Sequence, residues 1–314
     1  IKMIQIGERP YIKYESDGSS RIHFAFTDGH PRKEPDNSIY YAYYYNGGYY
    51  RANGSFIKQV SSGNLTASDG DRVYNASQGR AWIWDIALDD NNQPVLVYSV
   101  MPSESEHYYH YAHYNGSSWQ QYRITFAGGW FPETPSGGGE REPHYSGGVV
   151  LDHDDPSVVY LSRQVKGVFE IEKWTTDDNG KNWNSRAITQ NSSVLNVRPF
   201  VPRNHKPGYF DVLWMQGHYR HYTDYSTGIQ YYSARTMPPT PEPTAIPPDA
   251  YPIVHSVSSE PEASHPASNI LDGDLGAESR WSAQGYPQWV ILDYGQTRQF
   301  DTFSLYTYEG RSYQ

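Results

Sequence analysis

One unit is written four times between residues 10 and 235, and no other feature of the chain limits its fold as strongly. An apolar strand pair around a polar turn comes first, at 11–28, 82–100, 147–165 and 197–217. A pair rich in tyrosine or tryptophan follows each, at 38–51, 107–120 and 168–183, and in part at 229–235. Within the strands apolar residues alternate with polar or aromatic ones, as in Ile22-His23-Phe24-Ala25-Phe26 and Val95-Leu96-Val97-Tyr98. A period of two sends one side chain into a core and the next to the opposite face. Four strands recurring at a spacing of tens of residues is the pattern of β-propeller blades. The repeat therefore predicts an all-β chain with four visible propeller blades.

Thirty tyrosines, nine tryptophans and ten phenylalanines suit pleated, half-buried surfaces. Without a cysteine the chain has neither disulfides nor thiolate metal sites. A net charge of −10 argues against a nucleic-acid or anionic-membrane partner. No apolar run is long enough to span a bilayer as a helix. The proline-dense stretch 236–252 marks a seam, because proline cannot donate to a strand ladder. The expected organisation is a propeller at 1–235, a linker at 236–250 and a second module at 251–314.

Thr176, Asp178, Gly180 and Trp183 follow the pattern Ser/Thr-x-Asp-x-Gly-x-x-Trp. Asp178 can accept backbone N–H groups in a tight turn, Gly180 supplies positive φ and Trp183 packs beneath. This motif resembles the Asp-box of sialidases and other BNR-repeat proteins, a marker of fold that sits away from the chemistry. Longer strings at 9–14, 22–31, 81–89, 144–156 and 159–163 resemble the BNR-4 repeat family of secreted carbohydrate-active proteins. That family is similar to seven-bladed propeller lyases that cut ulvan and to enzymes acting on rhamnose–glucuronate linkages. The resemblance implies a secreted polysaccharide lyase that removes the C5 proton of a uronic acid and expels the 4-linked sugar. It needs no cofactor, and its partner is an acidic polysaccharide or oligosaccharide. The resemblance also implies that the main catalytic His, Tyr and Arg strings precede Ile1, so that four blades of a seven-bladed ring are present. A complete four-bladed ring is the other reading of the same repeat. A non-catalytic glycan-binding propeller and a glycoside hydrolase are the alternatives in function.

Several residues remain as candidates for the groove. His30 lies in a glycine–proline loop at 27–31, directly after an apolar strand, where it can hold a carboxylate or move a proton. It can equally serve the turn together with Asp28. His144 and Tyr145 precede the third apolar pair and are candidates for proton transfer. Arg163, Arg198 and Arg220 are candidates for neutralising a uronate carboxylate. His107, His110 and His113 cannot share one face of a strand, because a spacing of three alternates sides, so they read as packing. His153, before Asp154, Asp155 and Pro156, reads as part of a plain turn.

From Tyr251 onward, Asn269, Asp272, Gly273 and Asp274, then Arg280-Trp281 and Gln288-Trp289, resemble the discoidin-like family. This implies a partial β-sandwich (jelly-roll) carbohydrate-binding module and a structural Ca²⁺ at Asp272 and Asp274. An Asx-turn accounts for the same residues without a metal.

Overall fold

A computed structural model describes residues 10–103, 105–128, 147–221, 224–234, 252–260, 263–272, 279–284 and 288–294. The chain divides into two compact units, Ile1–Thr236 and Met237–Gln314.

The first unit is built from antiparallel sheets. Strands β1 (Ile12–Ser16), β2 (Arg21–Thr27), β3 (Ile39–Tyr45), β4 (Gly48–Tyr50) and β5 (Phe56–Gln59) pair in chain order, and β6 (Asp71–Tyr74) pairs with β3. The second sheet holds β7 (Arg80–Leu88), β8 (Pro94–Ser103), β9 (Glu106–Tyr114) and β10 (Trp119–Gly128). The third holds β11 (Val149–Leu151), β12 (Val158–Val165), β13 (Val168–Thr175) and β14 (Asn184–Ala187). The fourth holds β15 (Leu195–Phe200), β16 (Val212–His221) and β17 (Asp224–Tyr232).

Local chemistry sets these hairpins. Asn46-Gly47 and Lys166-Gly167 take positive φ at both positions, as a two-residue turn between twisted strands requires. Asp17 closes the β1–β2 turn by accepting from the backbone N–H groups of Ser19, Ser20 and Arg21. Gly180, at φ 92°, donates its N–H to Thr176 Oγ1, while Trp183 Nε1 donates to the Gly180 carbonyl. Trp183 then meets Tyr111 edge-on, with centroids 5.3 Å apart, and so ties this turn to the second sheet.

The sheets pack face to face in series. Ile39, Tyr41, Ile83 and Leu96 fill the seam between the first and second, and Val97, Tyr109, Leu151 and Leu161 that between the second and third. Tyr160, Ile171, Val212 and Trp214 fill the next. Buried polar residues cross the same seams with their hydrogen bonds satisfied. The Asn37 amide donates to the Ala81 carbonyl and accepts from the Gly29 N–H. The Tyr109 hydroxyl donates to the Ser162 carbonyl and accepts from the Gly148 N–H. Asn196 accepts from Trp214 Nε1 and Gln216 Nε2, and its carbonyl accepts from Ser162 Oγ.

The expected propeller is overturned. The described strands form discrete open sheets of six, four, four and three strands, and none closes into a barrel or a propeller. The repeat governs pairing inside each hairpin, and those pairings satisfy the backbone of each sheet by itself; no residue pattern in the repeat encodes closure. The expected β-sandwich is corrected as well. The described residues of the second unit contain a two-stranded sheet, β18 (Ile253–Val257) with β19 (Val290–Asp293).

Candidate functional site

A row of half-buried rings runs along one side of the first unit. Tyr11 precedes β1, His30 sits in the loop after β2, and Trp82 and Trp84 stand on β7. Ring centroids lie 4.9 Å apart for Tyr11 and Trp82, 5.2 Å for His30 and Trp82, and 6.3 Å for the stacked Trp82 and Trp84. The β7–β8 register shifts between Ile83 and Asp85, so Trp84 occupies a bulge, and bulges re-aim side chains. Its Nε1 donates to Ser99 Oγ at 2.7 Å, which fixes the ring.

Arg198 continues the row. Its guanidinium lies 5.7 Å from the Trp84 ring and 5.5 Å from Tyr219, and Nη2 donates to the Tyr219 hydroxyl at 3.2 Å. The backbone of Arg198 is left-handed, at φ 58°, within an irregular stretch of β15. Gly148 lies against it; a Cβ there would fall 2.9 Å from Pro199 Cδ. A non-glycine residue in this conformation costs about 1–3 kcal/mol and persists only where its surroundings over-determine it. At the other end, His30 Nδ1 accepts from the Arg32 backbone N–H at 3.1 Å. That bond leaves the proton of the neutral ring on Nε2. Such a row offers flat apolar faces to the C–H face of a pyranose, with a guanidinium at one end for an anionic substituent and an imidazole at the other.

The remaining sequence-predicted residues lie apart from this row. Arg163 is held bidentately by Glu172, at 2.7 and 2.8 Å, and Glu172 also accepts from Trp174 Nε1. Glu172 and its neighbour Glu170 line a cleft of about 380 Å³ with Lys166, Thr189, Asn191 and Ser192. Arg220 is exposed and pairs with Asp224 at 3.5 Å. His144, Tyr145 and Asp274 lie outside the described residues. Asp272 follows a 3-10 turn over Ala267–Leu271 and accepts from Ser279 Oγ. His107 is fully buried edge-on to Tyr109, and His113 Nε2 meets Asp89 at 2.9 Å. His110 packs on Tyr98, and burial pushes its pKa down to about 4.

Sequence reasoning missed two polar clusters. In the first, His153 bridges Glu15, through Nδ1, and Asp85, through Nε2 at 2.9 Å, while Arg203 reaches the same Glu15 carboxylate. Burial alone would depress the His153 pKa, but the hydrogen bonds to Asp85 and Glu15 outweigh it and raise it to about 9. Burial likewise opposes ionisation of Glu15, yet hydrogen bonds from His153, the Ser16 N–H and Arg203 hold it near 2. Glu15 and Asp85 lie on β1 and β7, His153 and Arg203 just beyond β11 and β15, so this clasp joins all four sheets. In the second cluster, ligand atoms of Asp152, Asp154 and His205 lie within 4.8 Å of one another, a set able to hold a metal ion. Its residues are not Asp272 and Asp274, where the sequence placed Ca²⁺. The run Asp152-His153-Asp154-Asp155 was the available signal for both clusters, but their partners are distant in sequence.

Among the described residues no helix is long and apolar enough to cross a membrane. Residues 2–127 match the model of the BNR_4 family, described as a BNR repeat-containing family member. No curated protein matches the sequence. Two structures of a polysaccharide lyase of a new family, the PL25 ulvan lyase, are similar in fold, one of them bound to GlcA(1-4)Rha3S. Each aligns at 11% identity and a TM-score of 0.53 over 76% of this chain and 57% of the other. The polysaccharide lyase Uly1 aligns at 12% identity and a TM-score of 0.42, over 72% of this chain and 46% of its own. The chain thus spans about 57% of the length of the ulvan lyase it matches. It is related over residues 2–127 to a BNR repeat-containing family, and it shares its fold distantly with a polysaccharide lyase.

Proposed function

We propose that this chain belongs to a secreted protein that cleaves uronate-containing polysaccharides by β-elimination. The observation that carries the reading is the row from His30 through Trp82 and Trp84 to Arg198, which combines flat apolar faces with a fixed cation. The fold likeness to a lyase bound to GlcA(1-4)Rha3S supports the same class. On this reading the tryptophans carry the sugar rings, and Arg198 pairs with the uronate carboxylate. Neutralising that carboxylate stabilises the negative charge that develops as the C5 proton leaves. A base takes the proton, the C4–O4 bond breaks, a proton goes to O4, and a C4=C5 double bond remains. His30 is our candidate for proton transfer, with His144 and Tyr145 as its nearest rivals. Arg163 and Arg220 are left out, because neither stands in this row of rings. Residues 251–314 would add a further carbohydrate-binding module.

The full chain incubated with ulvan or another uronate glycan should generate the ultraviolet absorbance of an unsaturated uronate. Arg198→Ala should abolish it and Arg198→Lys restore part of it, while His30→Ala should lower turnover and spare binding. New reducing ends without that absorbance would show a hydrolase. Binding without turnover favours the second reading, a non-catalytic glycan-binding protein, for which the Arg32 N–H bonded to His30 Nδ1 already speaks.

A further inference from the structure

The clasp and the neighbouring acidic cluster differ in charge balance. Glu15 and Asp85 face two cations, His153 and Arg203, so the clasp is neutral. Beside it, Asp152, Asp154 and Asp211 surround the single imidazole of His205. No lysine or arginine pairs with these three carboxylates among the described residues. Their field reaches Tyr160, whose hydroxyl burial and then the Asp211 and Asp152 carboxylates hold well above its usual range. Asp152 and Asp211 are buried while Asp154 is exposed; buried negative charge without a counter-ion is costly, and a cation is the direct remedy.

A second observation points to a ligand. The His205 side chain is 4% exposed, and its Nδ1 is buried without a hydrogen-bond partner, 3.8 Å from Asp211 Oδ1. On the opposite edge of the ring, Nε2 lies 3.1 and 3.2 Å from the two oxygens of Asp152. Asp211 is itself fixed, accepting at 2.6 Å from the N–H groups of Gly208 and Ala234. Nε2 thus faces the acidic pair and Nδ1 faces an anchored carboxylate, the orientation in which a histidine gives one ring nitrogen to an ion and turns the other toward a supporting acid.

We propose that Asp152, Asp154 and His205 Nε2 bind a divalent transition-metal ion of the zinc class, and that Asp211 positions the imidazole through Nδ1. An imidazole with two carboxylates selects zinc-like ions over Ca²⁺, which prefers an all-oxygen shell. In this arrangement the Nε2 lone pair goes to the ion, and the ring proton sits on Nδ1, facing Asp211. The ion would join the β11–β12 turn to the segment that follows β15.

The test uses the full chain without a histidine tag, stripped with a chelator and titrated with Zn²⁺ in a calorimeter. We expect one ion per chain, a higher Tm, and Zn²⁺ bound far more tightly than Ca²⁺. Asp154→Asn and His205→Ala should each abolish the binding; Asp154 is exposed, so its variant is the less prone to misfold. Asp211→Asn should keep one ion per chain but weaken affinity about ten- to a hundredfold. Absence of stoichiometric Zn²⁺ binding would overturn the proposal. So would Ca²⁺ bound as tightly as Zn²⁺, or Zn²⁺ bound unchanged by Asp154→Asn and His205→Ala.

Discussion

Gly180 has no room for a side chain. Its φ of 92° disfavours any other residue, and a Cβ there would lie 2.4 Å from Cδ1 of Tyr111, whose buried ring is also fixed by a hydroxyl bond to the Pro156 carbonyl. We expect Gly180→Ala to cost about 1–3 kcal/mol in a urea denaturation curve, because the turn and the neighbouring sheet must both shift. Asp178 is exposed on the same turn, where its carboxylate accepts from the Asn182 backbone and side chain. Thr176, Asp178, Gly180 and Trp183 could be read from spacing alone, since a turn motif depends on a few neighbours in sequence. His153 could not: its two carboxylate partners lie 68 and 138 residues away.

At the scale of strands, buried imidazoles decide how the protein responds to acid. His23 on β2 is enclosed by Tyr41 and Tyr43, and burial depresses its pKa to about 4. His110 on β9 is depressed to a similar value. On unfolding both rings return to about 6.5, so between these values the unfolded chain binds more protons than the native one. Their contribution is complete above pH 6.5 and is lost as pH falls toward 4, by roughly 1.4 kcal/mol per pH unit for each ring. Urea midpoints measured across this range should fall steeply, and His110→Phe should flatten the slope by about half. The strands themselves were legible, because alternation in runs such as 22–26 and 95–98 is a local signal and Asn46-Gly47 marks its own turn. The bulges at Trp84 and Arg198 were not. They depend on which neighbour each strand meets, so Arg198 emerged as a candidate while the rings beside it did not.

For the whole unit, the fourth sheet carries exposed apolar side chains along one row of its described residues. Phe200, Tyr225, Ile229 and Tyr231 on the fourth sheet are all more than half exposed, at 57%, 56%, 65% and 59%. Apolar surface on a long edge strand such as β17 promotes association. Ile229→Lys should therefore raise the monomer fraction in light scattering at high concentration and leave Tm unchanged. The clasp acts on the same scale, but in time. Arg203 reaches Glu15 across 188 residues of chain, and His153 reaches it across 138. Loops of that length close late, after each sheet has paired locally. The clasp is therefore a latch set at the end of folding, one that governs how long the native state survives more than how fast it is reached. In stopped-flow experiments His153→Ala should quicken unfolding and leave the refolding rate nearly untouched, as for contacts absent from the transition state. A protein secured in this way keeps its four sheets together by the slowness of their release.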